Sequence, residues 1–422
     1  MKKVLIIGYL PWSRPGGSYR TAPLVKYLPE FGWQPVVVTP LLNDKPPQEL
    51  RIIETPYRDA LAFWKKLVRF NPNELLGQQV KEKFGTNHNR KTLIDQALIV
   101  MLGLVTYPDA ERGWQPFATR AADQLLQSEQ IDAMISCRPI ISNIVAHKLK
   151  EIYRIPWVVD YTDPWSQNTG YDYGPLRHRL DRRLELKTVA SADALVSTSE
   201  PWAERLRALH TSKPVFTITH GFDPDEVNSP PVELTKKFTI TYTGTIYTGN
   251  QDPLKLFHAL HDLISDGTLQ PEDIEVRFYG RKVVWLEKEI GNYGLSDIVR
   301  YYGQVPKETA LQKQRESHLL LVLDWEDPAE PGIYTYKIFE YMAARRPILA
   351  TGGQSDDIVA RLLTDTGAGW HAPTVDDIKD ALSKLYQEYR LKGNVSYNDR
   401  EAEINKYSHY EMARKFAEIL DA

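Results

Sequence analysis

The sequence predicts two α/β domains of the doubly wound type, each built on a parallel sheet with helices on both faces. Three observations support this fold class. Short segments that are apolar along their whole length recur through the chain, as expected for strands buried on both faces. Amphipathic helical patterns separate these segments. A stretch containing Pro224, Pro230 and Pro231 interrupts the alternation near the middle of the chain, where it should break any regular element.

The predicted elements are distributed evenly over both halves. In the first half, strands are predicted at 4–7, 35–38, 131–136, 156–159 and 194–197, and helices at 22–31, 140–152 and 176–190. In the second half, strands are predicted at 238–242, 274–279, 298–302, 319–323 and 347–350. One or two helices should follow over 401–420.

These elements define the predicted domain boundaries. Residues 1–222 form the first domain, with a helical insertion at about 58–118, and residues 223–400 form the second. The segment 401–422 either packs on the second domain or crosses back to the first.

The composition is that of an ordinary globular protein. Its 422 residues include 52 Lys and Arg against 55 Asp and Glu, which gives a net charge of −3. Proteins that bind nucleic acid through phosphate contacts usually need a strongly basic domain, so we expect no nucleic-acid partner. The single cysteine, Cys137, cannot form an internal disulfide and fits a reducing compartment.

The amino terminus lacks the pattern of a secretory signal. Lys2 and Lys3 precede apolar residues, but Pro11 and Arg14 end the run before a signal-peptide core is complete. The longest apolar run, 97–105, is less than half of the roughly 20 residues that a membrane-spanning helix needs. We therefore expect a soluble, cytoplasmic protein and leave contact with a membrane surface open.

Residues 58–105 have a local excess of basic residues, with eight Lys and Arg against four Asp and Glu. Leu61, Trp64 and Leu67 fall on one helical face within this segment. A basic amphipathic helix with a tryptophan can lie on the anionic inner face of a membrane. The same pattern also fits an insertion that packs its apolar face on its own domain.

The loop after the first predicted strand is a candidate ligand-binding element. It contains Gly16 and Gly17 and leads into a helix with Arg20 in its first turns. Paired glycines let the backbone approach a ligand closely, and a helix N-terminus can bind a phosphate. The spacing differs from the dinucleotide-binding G-x-G-x-x-G motif, which argues against NAD. A flexible turn is the alternative interpretation.

A second candidate element is the predicted helix that contains Lys337 and Glu340. These residues are three apart and share one helical face near the N-terminus. A lysine at this place suits a diphosphate, and a carboxylate one turn deeper can accept hydrogen bonds from both hydroxyls of a ribose. The alternative is a salt bridge on a solvated helix. The buried strand predicted at 347–350 favours a ligand site, because it would place the start of this helix at the carboxyl edge of a sheet.

The segment from Lys337 to Ala350 resembles the nucleotide-sugar motif of glycosyltransferase family 4, a retaining family with the two-Rossmann GT-B fold. The pattern is Lys-x-x-Glu-Tyr-Met-Ala-x-x-x-Pro-Ile-Leu-Ala, and it is most similar to subgroups that make bacterial surface polysaccharides. Further pieces follow the family's order along nearly the whole chain: Gly16-Gly17, Tyr107-Pro-Asp, Val159 to Trp165, Ser197-Thr-Ser199, His220 to Asp223, Tyr242-x-Gly244, Phe278-Tyr-Gly280 and Tyr302-Gly303-x-Val305.

The resemblance implies that the second domain binds a nucleoside diphosphate sugar. Glu340 would bind the ribose, Lys337 and the amides of Tyr334 and Thr335 the diphosphate, and the backbone near Val305 the base. The set of implied donor-binding residues is completed by Gly16, Gly17, Arg20, Gly244 and Arg281.

The resemblance also implies a glycan, lipid-linked or small-molecule acceptor in the first domain, with Asp163 at the floor of a cleft between the domains. In the front-face reaction of the family, the departing diphosphate helps to take the acceptor proton, and Lys337 would stabilise its charge. An inverting enzyme would instead need a general base, for which Asp163 is the first choice. A turn residue before Pro164 is the other interpretation of Asp163.

Two departures from the family pattern stand out. Gly332 replaces the glutamate that commonly lies eight positions before Glu340, so the sugar contacts there must differ. The usual Arg and Lys are also missing between Gly244 and Asp252, which leaves Lys337 and Arg281 as the candidate positive charges.

Three other functions compete with a retaining hexosyltransferase. The first is a GT-A transferase, which would need a metal-binding Asp-x-Asp motif. Asp223-Pro-Asp225 has these letters, but it lies in the proline-rich stretch, so we expect no metal and no other cofactor. A sugar-nucleotide 2-epimerase can share the two-Rossmann architecture and needs acid and base groups in the cleft. An inactive module that only binds the nucleotide sugar is the third alternative.

Overall fold

The computed structural model describes residues 1–10, 20–42, 50–60, 100–101, 103–168, 174–227, 230 and 232–422. These residues form two compact units. The first comprises Met1–Thr219 and Met412–Ala422, and the second comprises His220–Glu411. The division between the units lies after Thr219, where the sequence analysis set the domain boundary after residue 222.

The first unit is built on a parallel sheet, which has seven strands in the described residues. Their order is β3-β2-β1-β4-β5-β6-β7, so the direction in which strands are added reverses between β1 and β4. This is the topological switch point at which open α/β sheets bind ligands. The strands are β1 (Lys2–Ile7), β2 (Trp33–Pro40), β3 (Ile52–Thr55), β4 (Ala133–Ser136), β5 (Trp157–Tyr161), β6 (Ala194–Ser197) and β7 (Val215–Thr217).

Helices cover both faces of this sheet because the strand side chains alternate between two apolar clusters. Leu5 and Ile7 of β1 pack in one cluster, whereas Val4 and Ile6 pack in the other, together with Phe416 near the carboxyl terminus. The helices of the unit are α1 (Thr21–Tyr27), α2 (Gln115–Ser128), α3 (Ile141–Tyr153), α4 (Pro175–Val189) and α5 (Glu200–Leu209), with 3₁₀ turns at Leu28–Phe31 and Arg112–Trp114.

The second unit has a parallel sheet of six strands within the described residues, in the order β10-β9-β8-β11-β12-β13. Its switch point lies between β8 and β11. The strands are β8 (Phe238–Thr243), β9 (Ile274–Tyr279), β10 (Val299–Gly303), β11 (Leu319–Leu323), β12 (Ile348–Thr351) and β13 (Gly369–Ala372).

The helices of the second unit again lie on both sides of the sheet. Leu319 and Leu321 of β11 pack in one apolar cluster and Leu320 and Val322 in the other. A 3₁₀ turn at Pro271–Asp273 precedes β9. The helices are α6 (Pro224–Val227), α7 (Leu254–Ser265), α8 (Val284–Asn292), α9 (Lys307–Arg315), α10 (Lys337–Ala343), α11 (Ile358–Thr366), α12 (Val375–Lys392), α13 (Glu401–Asn405) and α14 (His409–Asp421), the last of which belongs to the first unit from Met412 onward.

The predicted fold class, two doubly wound parallel sheets, is confirmed. Every strand predicted from an apolar run is present, with ends shifted by no more than a few residues. Strands β3, β7 and β13, which form edges of the two sheets, were not predicted from the sequence. An edge strand has only one neighbour and is partly exposed, so its sequence lacks the continuous apolar run of a central strand.

Two sequence predictions concern the connecting segments. The proline-rich stretch was expected to break all regular structure, but Pro224–Val227 forms one helical turn, since proline is tolerated at the first position of a helix.

Most of the predicted insertion at 58–118, including Trp64, lies outside the described residues. In the part of the chain that the structure describes, no helix is both long and apolar enough to cross a membrane.

The core of the first unit contains an ion pair between Arg20 and Asp160. The Arg20 side chain is 1% exposed and the Asp160 side chain 0%. Arg20 Nη2 donates to Asp160 Oδ1 at 3.0 Å, and Nε donates to Oδ2 at 3.0 Å. Nη1 donates to the carbonyl oxygen of Thr219 at 2.9 Å.

Cys137 lies in the same core and is 1% exposed. Burial raises the pKa of its thiol well above the usual value.

We predict that Arg20→Met destabilises the first unit by about 3–5 kcal/mol, because it leaves the Asp160 carboxylate buried without its partner. The double variant Arg20→Met/Asp160→Leu should lose less. Lys2→Met is the matched control, since its pair with Asp421 is 57% and 51% exposed and should contribute about 0–1 kcal/mol. Urea unfolding measures all three. Equal stability of the wild type and Arg20→Met would contradict the structural role of the pair.

Candidate functional site

The predicted donor-binding residues of the second unit lie at the carboxyl edge of its sheet. Gly244 follows β8, Arg281 follows β9, and Val305 follows β10. Lys337 begins α10, in the connection between β11 and β12. Because β8 and β11 flank the switch point, Gly244 and Lys337 lie where ligands bind in open α/β sheets.

Two glycines allow the backbone to pack closely at this edge. Gly244 has φ of +130°, and a β-carbon there would lie 2.9 Å from Cε of Lys337. A β-carbon on Gly280 would lie 2.0 Å from the carbonyl oxygen of Gly244. The amide of Gly244 donates to the carbonyl oxygen of Tyr279 at 2.8 Å, which fixes the loops after β8 and β9 against each other. Only glycine fits at both positions, and the Lys337 side chain occupies the space next to them.

Lys337 is a partly buried cation, and it has no carboxylate partner among the residues that the structure describes. Its Nζ donates to Tyr242 Oη at 3.0 Å and lies 4.6 Å from the centre of the Tyr242 ring. Burial lowers the pKa of Lys337 to about 8. The residue does not form the predicted alternative, a salt bridge with Glu340 on a solvated helix, since neither side chain is exposed and no ion pair joins them. An anionic ligand would stabilise the charged form of Lys337, because it would replace the water that burial removes from the ammonium.

Glu340 is oriented by a buried glutamine. Gln314, on α9, donates from Nε2 both to Glu340 Oε1 and to Thr243 Oγ1, the latter at 2.9 Å. The amide of Thr243 in turn donates to Tyr341 Oη at 2.8 Å. Burial raises the pKa of Glu340. The second carboxylate oxygen of Glu340 accepts no hydrogen bond from the described residues, so it can receive a hydroxyl of a ligand.

The chain just before α10 offers unpaired amides. Those of Tyr334 and Thr335 donate to no acceptor among the residues that the structure describes. The hydroxyl of Thr335 is buried and also lacks a partner there. Backbone amides with no internal acceptor can bind phosphate oxygens. This placement agrees with the role that the sequence resemblance implies for these two residues.

The remaining predicted donor-binding residues differ in their placement. Arg281 is exposed at the end of β9, and Val305 is partly buried after β10. Gly16 and Gly17 lie outside the described residues. The prediction for Arg20 was wrong: its guanidinium is enclosed in the core and committed to Asp160, so we assign it a structural role.

The candidate acceptor side is the carboxyl edge of the first sheet. Asp163 follows β5, and its Oδ2 accepts a hydrogen bond from Arg138 Nη1 at 2.8 Å. These side chains are 40% and 48% exposed, so both are accessible to a ligand. On the same edge, Tyr9 follows β1 and donates to Glu111 Oε2 at 2.7 Å. Arg138 and Tyr9 follow the two strands that flank the switch point of this sheet.

A cluster of Asp324, Asp357 and His371 also lies at the carboxyl edge of the second sheet. Within the described residues, this is the group whose ligand atoms, all within 4.8 Å of one another, could hold a metal ion. The carboxylates are already engaged: Asp324 Oδ2 accepts from His371 Nε2 at 3.2 Å, and Asp357 caps α11. Burial, together with the neighbouring Asp357 carboxylate, raises the pKa of Asp324 to about 7. We therefore assign no metal to the cluster, and metal independence stays a prediction.

Sequence reasoning assigned no role to several members of the site. Gln314 holds Glu340, Tyr242 holds Lys337, and Arg138 pairs with Asp163. Gln314 lies in a polar helix segment whose pattern gives no reason to single it out. Tyr242 and Gly280 belong to segments that follow the family pattern, and Gly280 follows a predicted strand in the same way as Gly244, which is the signal that could have given it a role.

Part of the chain resembles a known family. Residues 16–219 match the model of the glycosyl transferase 4-like domain. A search of curated proteins finds no match in sequence.

Solved structures resemble the chain over its whole length. A UDP-forming α,α-trehalose-phosphate synthase from Burkholderia xenovorans, in complex with glucose-6-phosphate, has a TM-score of 0.61 and 13% identity, with 100% of both chains covered. The lipopolysaccharide outer core galactosyltransferase WaaB has a TM-score of 0.56 and 14% identity, with 100% of both chains covered. A Listeria monocytogenes protein assigned as a UDP-N-acetylglucosamine 2-epimerase has a TM-score of 0.50 and 12% identity, covering 100% of this chain and 96% of its own.

These findings define the class of protein. The chain has the GT-B fold, with two Rossmann-like units, and the resemblance to glycosyltransferases that the sequence indicated is confirmed. At identities of 12–14%, the structural likeness concerns the fold alone.

We predict that Gly280→Ala destabilises the second unit by about 1–3 kcal/mol, because its β-carbon would push the loops after β8 and β9 apart. Gly291→Ala is the control: it lies in α8 with no atom within 4 Å of the added carbon, and it should be neutral or stabilising by up to about 1 kcal/mol. Urea unfolding of both variants checks the difference. If Gly280→Ala were as stable as Gly291→Ala, the close packing at Gly244 would not constrain the site.

Proposed function

We propose that the protein is a retaining, metal-independent glycosyltransferase that moves a hexosyl group from a nucleoside diphosphate sugar to a glycan, lipid-linked or small-molecule acceptor. The observation that carries this proposal is the partly buried ammonium of Lys337 beside Gly244, at the switch point of the second sheet. The proposed location is the cytoplasm, in contact with the inner face of the membrane.

The ribose, the diphosphate and the base of the donor each have a matching group in the second unit. The free oxygen of Glu340 accepts from a ribose hydroxyl, while Gln314 keeps the carboxylate in place. Lys337 and the amides of Tyr334 and Thr335 bind the diphosphate. Charge-assisted hydrogen bonds of this kind are among the strongest available to a protein. The base binds to the backbone after β10, near Val305.

The reaction breaks the bond between the anomeric carbon and the diphosphate oxygen. Both electrons of this bond leave with the diphosphate, which therefore gains negative charge in the transition state. Lys337 stabilises this charge, and the exposed guanidinium of Arg281 can approach from the end of β9. The acceptor hydroxyl attacks from the face that the diphosphate leaves, and its proton passes to a phosphate oxygen, so no protein base is required and the configuration is retained.

The first unit supplies the acceptor site in this proposal. Asp163 accepts a hydrogen bond from Arg138, and both side chains are half exposed. The Asp163 carboxylate can accept a hydrogen bond from the acceptor substrate, and the Arg138 guanidinium can donate to it, so the pair can orient that substrate. In an inverting enzyme Asp163 would take the acceptor proton directly. Analysis of the anomeric configuration of the product distinguishes the two reactions.

The sugar-nucleotide 2-epimerase remains the second candidate, because a protein assigned to that activity shares the fold. The two activities differ in what they need. Epimerisation proceeds with the nucleotide sugar alone, whereas transfer needs an acceptor. Product analysis by NMR, with and without an acceptor, therefore separates them. An inactive binding module would give no product in either case.

We predict that a nucleoside diphosphate raises the melting temperature of the wild type. At a hundredfold excess over Kd the stabilisation should be about 2.7 kcal/mol. Glu340→Ala should weaken binding roughly ten- to hundredfold, as expected for loss of a charge-assisted hydrogen bond. Glu272→Ala, an exposed glutamate before β9, is the matched control and should bind like the wild type. A thermal-shift panel of nucleotides tests this, and the proposal fails if none of them stabilises the wild type.

We also predict that nucleotide affinity falls as the pH rises above about 8. The pKa of Lys337 is lowered to about 8, so above this pH the free protein loses the ammonium that binds the diphosphate. The bound anion favours the charged lysine, and binding should take up a proton, with Kd rising by up to about tenfold per pH unit. Calorimetry at pH 8.5 in two buffers of different ionisation enthalpy measures this uptake. Lys337→Met should abolish it, and proton uptake that persists in this variant would assign the effect to another group.

A further inference from the structure

The outward face of α4 carries a row of cations without partners. Arg179, Arg182, Arg183 and Lys187 are all exposed. None of the four makes a hydrogen bond or an ion pair with the described residues. Unpaired arginines on one helical face form a local positive field even where the whole chain has a net charge of −3.

The acidic residues of the same helix are buried and accept hydrogen bonds from groups inside the unit. Asp181 accepts from Arg177 Nε at 2.7 Å. Glu185 accepts from Tyr161 Oη and from the amide of Ser166, each at 2.9 Å. The outward face is therefore positively charged, with no carboxylate of α4 to balance it.

Exposed apolar side chains lie in the first turn of α4 and in the segment that packs against the start of this helix. Leu176, in the first turn of α4, is 56% exposed, and Val100, Met101 and Leu104 are 41%, 37% and 43% exposed. Exposed apolar groups that cluster in this way usually mark an interaction surface.

Contacts between backbone and side chains hold the two groups together. Gly174, which directly precedes α4, lies close to Val100: a β-carbon added to Gly174 would be 3.7 Å from Val100 Cγ2, an ordinary van der Waals distance. The Arg177 guanidinium donates to the carbonyl oxygens of Gly103 and Pro108, the latter at 2.9 Å, and to Thr106 Oγ1 at 3.3 Å. The segment that carries Val100, Met101 and Leu104 is thus fixed against the start of α4.

We propose that this surface, formed by Val100, Met101, Leu104, Leu176, Arg179, Arg182, Arg183 and Lys187, docks on an anionic lipid bilayer. Apolar side chains can enter the headgroup region, while the arginines and the lysine contact lipid phosphates. A second copy of the chain does not suit the surface, because two basic faces repel each other. A nucleic acid would use the cations but would leave the apolar side chains without a partner.

The docking surface extends the proposed function by placing the acceptor-binding unit at a membrane, where a lipid-linked acceptor resides. The sequence suggested residues 58–105 as the membrane contact. The proposed surface instead takes its basic residues from α4. Binding to lipid does not require catalysis, so it can be tested separately from transfer.

The test is sedimentation with vesicles. The wild type should bind vesicles of phosphatidylcholine with phosphatidylglycerol, bind those of phosphatidylcholine alone much more weakly, and dissociate as salt is raised. Arg179→Gln/Arg183→Gln should bind the anionic vesicles roughly 25-fold more weakly, at about fivefold for each charge removed. Leu104→Ser/Leu176→Ser should also bind more weakly, with an unchanged dependence on salt.

The matched control is Lys288→Gln/Lys384→Gln, which removes two exposed, unpaired lysines from the second unit and should bind like the wild type. Circular dichroism of every variant should match that of the wild type, which verifies folding. The nucleotide thermal shift should also match, which shows that the donor site is unaffected. Equal binding by wild type and Arg179→Gln/Arg183→Gln overturns the proposal, as does a failure of the wild type to bind anionic vesicles. Tighter binding of the wild type to duplex DNA than to vesicles at the same salt would assign the surface to nucleic acid instead.

Discussion

The packing of Lys337 against Gly244 is the constraint on which the candidate site depends. The lysine side chain lies where a side chain at Gly244 would have to be, and Gly280 must lack a β-carbon so that its loop can meet the Gly244 carbonyl. This packing brings a cation, unpaired amides and the carboxylate of Glu340 to one edge of the sheet. It also explains why the cation is costly to keep charged, since close packing excludes the water that would solvate it.

The same fold organises both units, although their chemistry differs. In a parallel sheet all carboxyl ends meet at one edge, so residues distant in sequence come together there. In the second unit this edge provides a partly buried ammonium and a glutamate held by Gln314. In the first unit the corresponding edge provides the half-exposed pair of Arg138 and Asp163. A phosphate-bearing donor suits the former and a hydroxyl-bearing acceptor suits the latter.

The central strands could be predicted from sequence because burial on both faces requires apolar residues throughout. The edge strands β3, β7 and β13 could not, since partial exposure removes that requirement. Within the candidate site, spacing and family resemblance predicted Lys337 and Glu340, which the fold places at one edge of the second sheet. Residues that act through tertiary contacts gave no local pattern: Gln314 reaches Glu340 across 26 positions. Arg20 was misassigned for the same reason, because its partner Asp160 lies 140 positions away and the adjacent glycines suggested a ligand.

The burial of Cys137 has a practical consequence for studying this chain. It is the one cysteine in the sequence, it is 1% exposed, and its thiol is held in the unreactive protonated form. A cysteine introduced at an exposed position would therefore react with maleimide dyes or spin labels far faster than Cys137 does. Distances between two such introduced sites, one in each unit, can be measured in solution without first replacing a native residue.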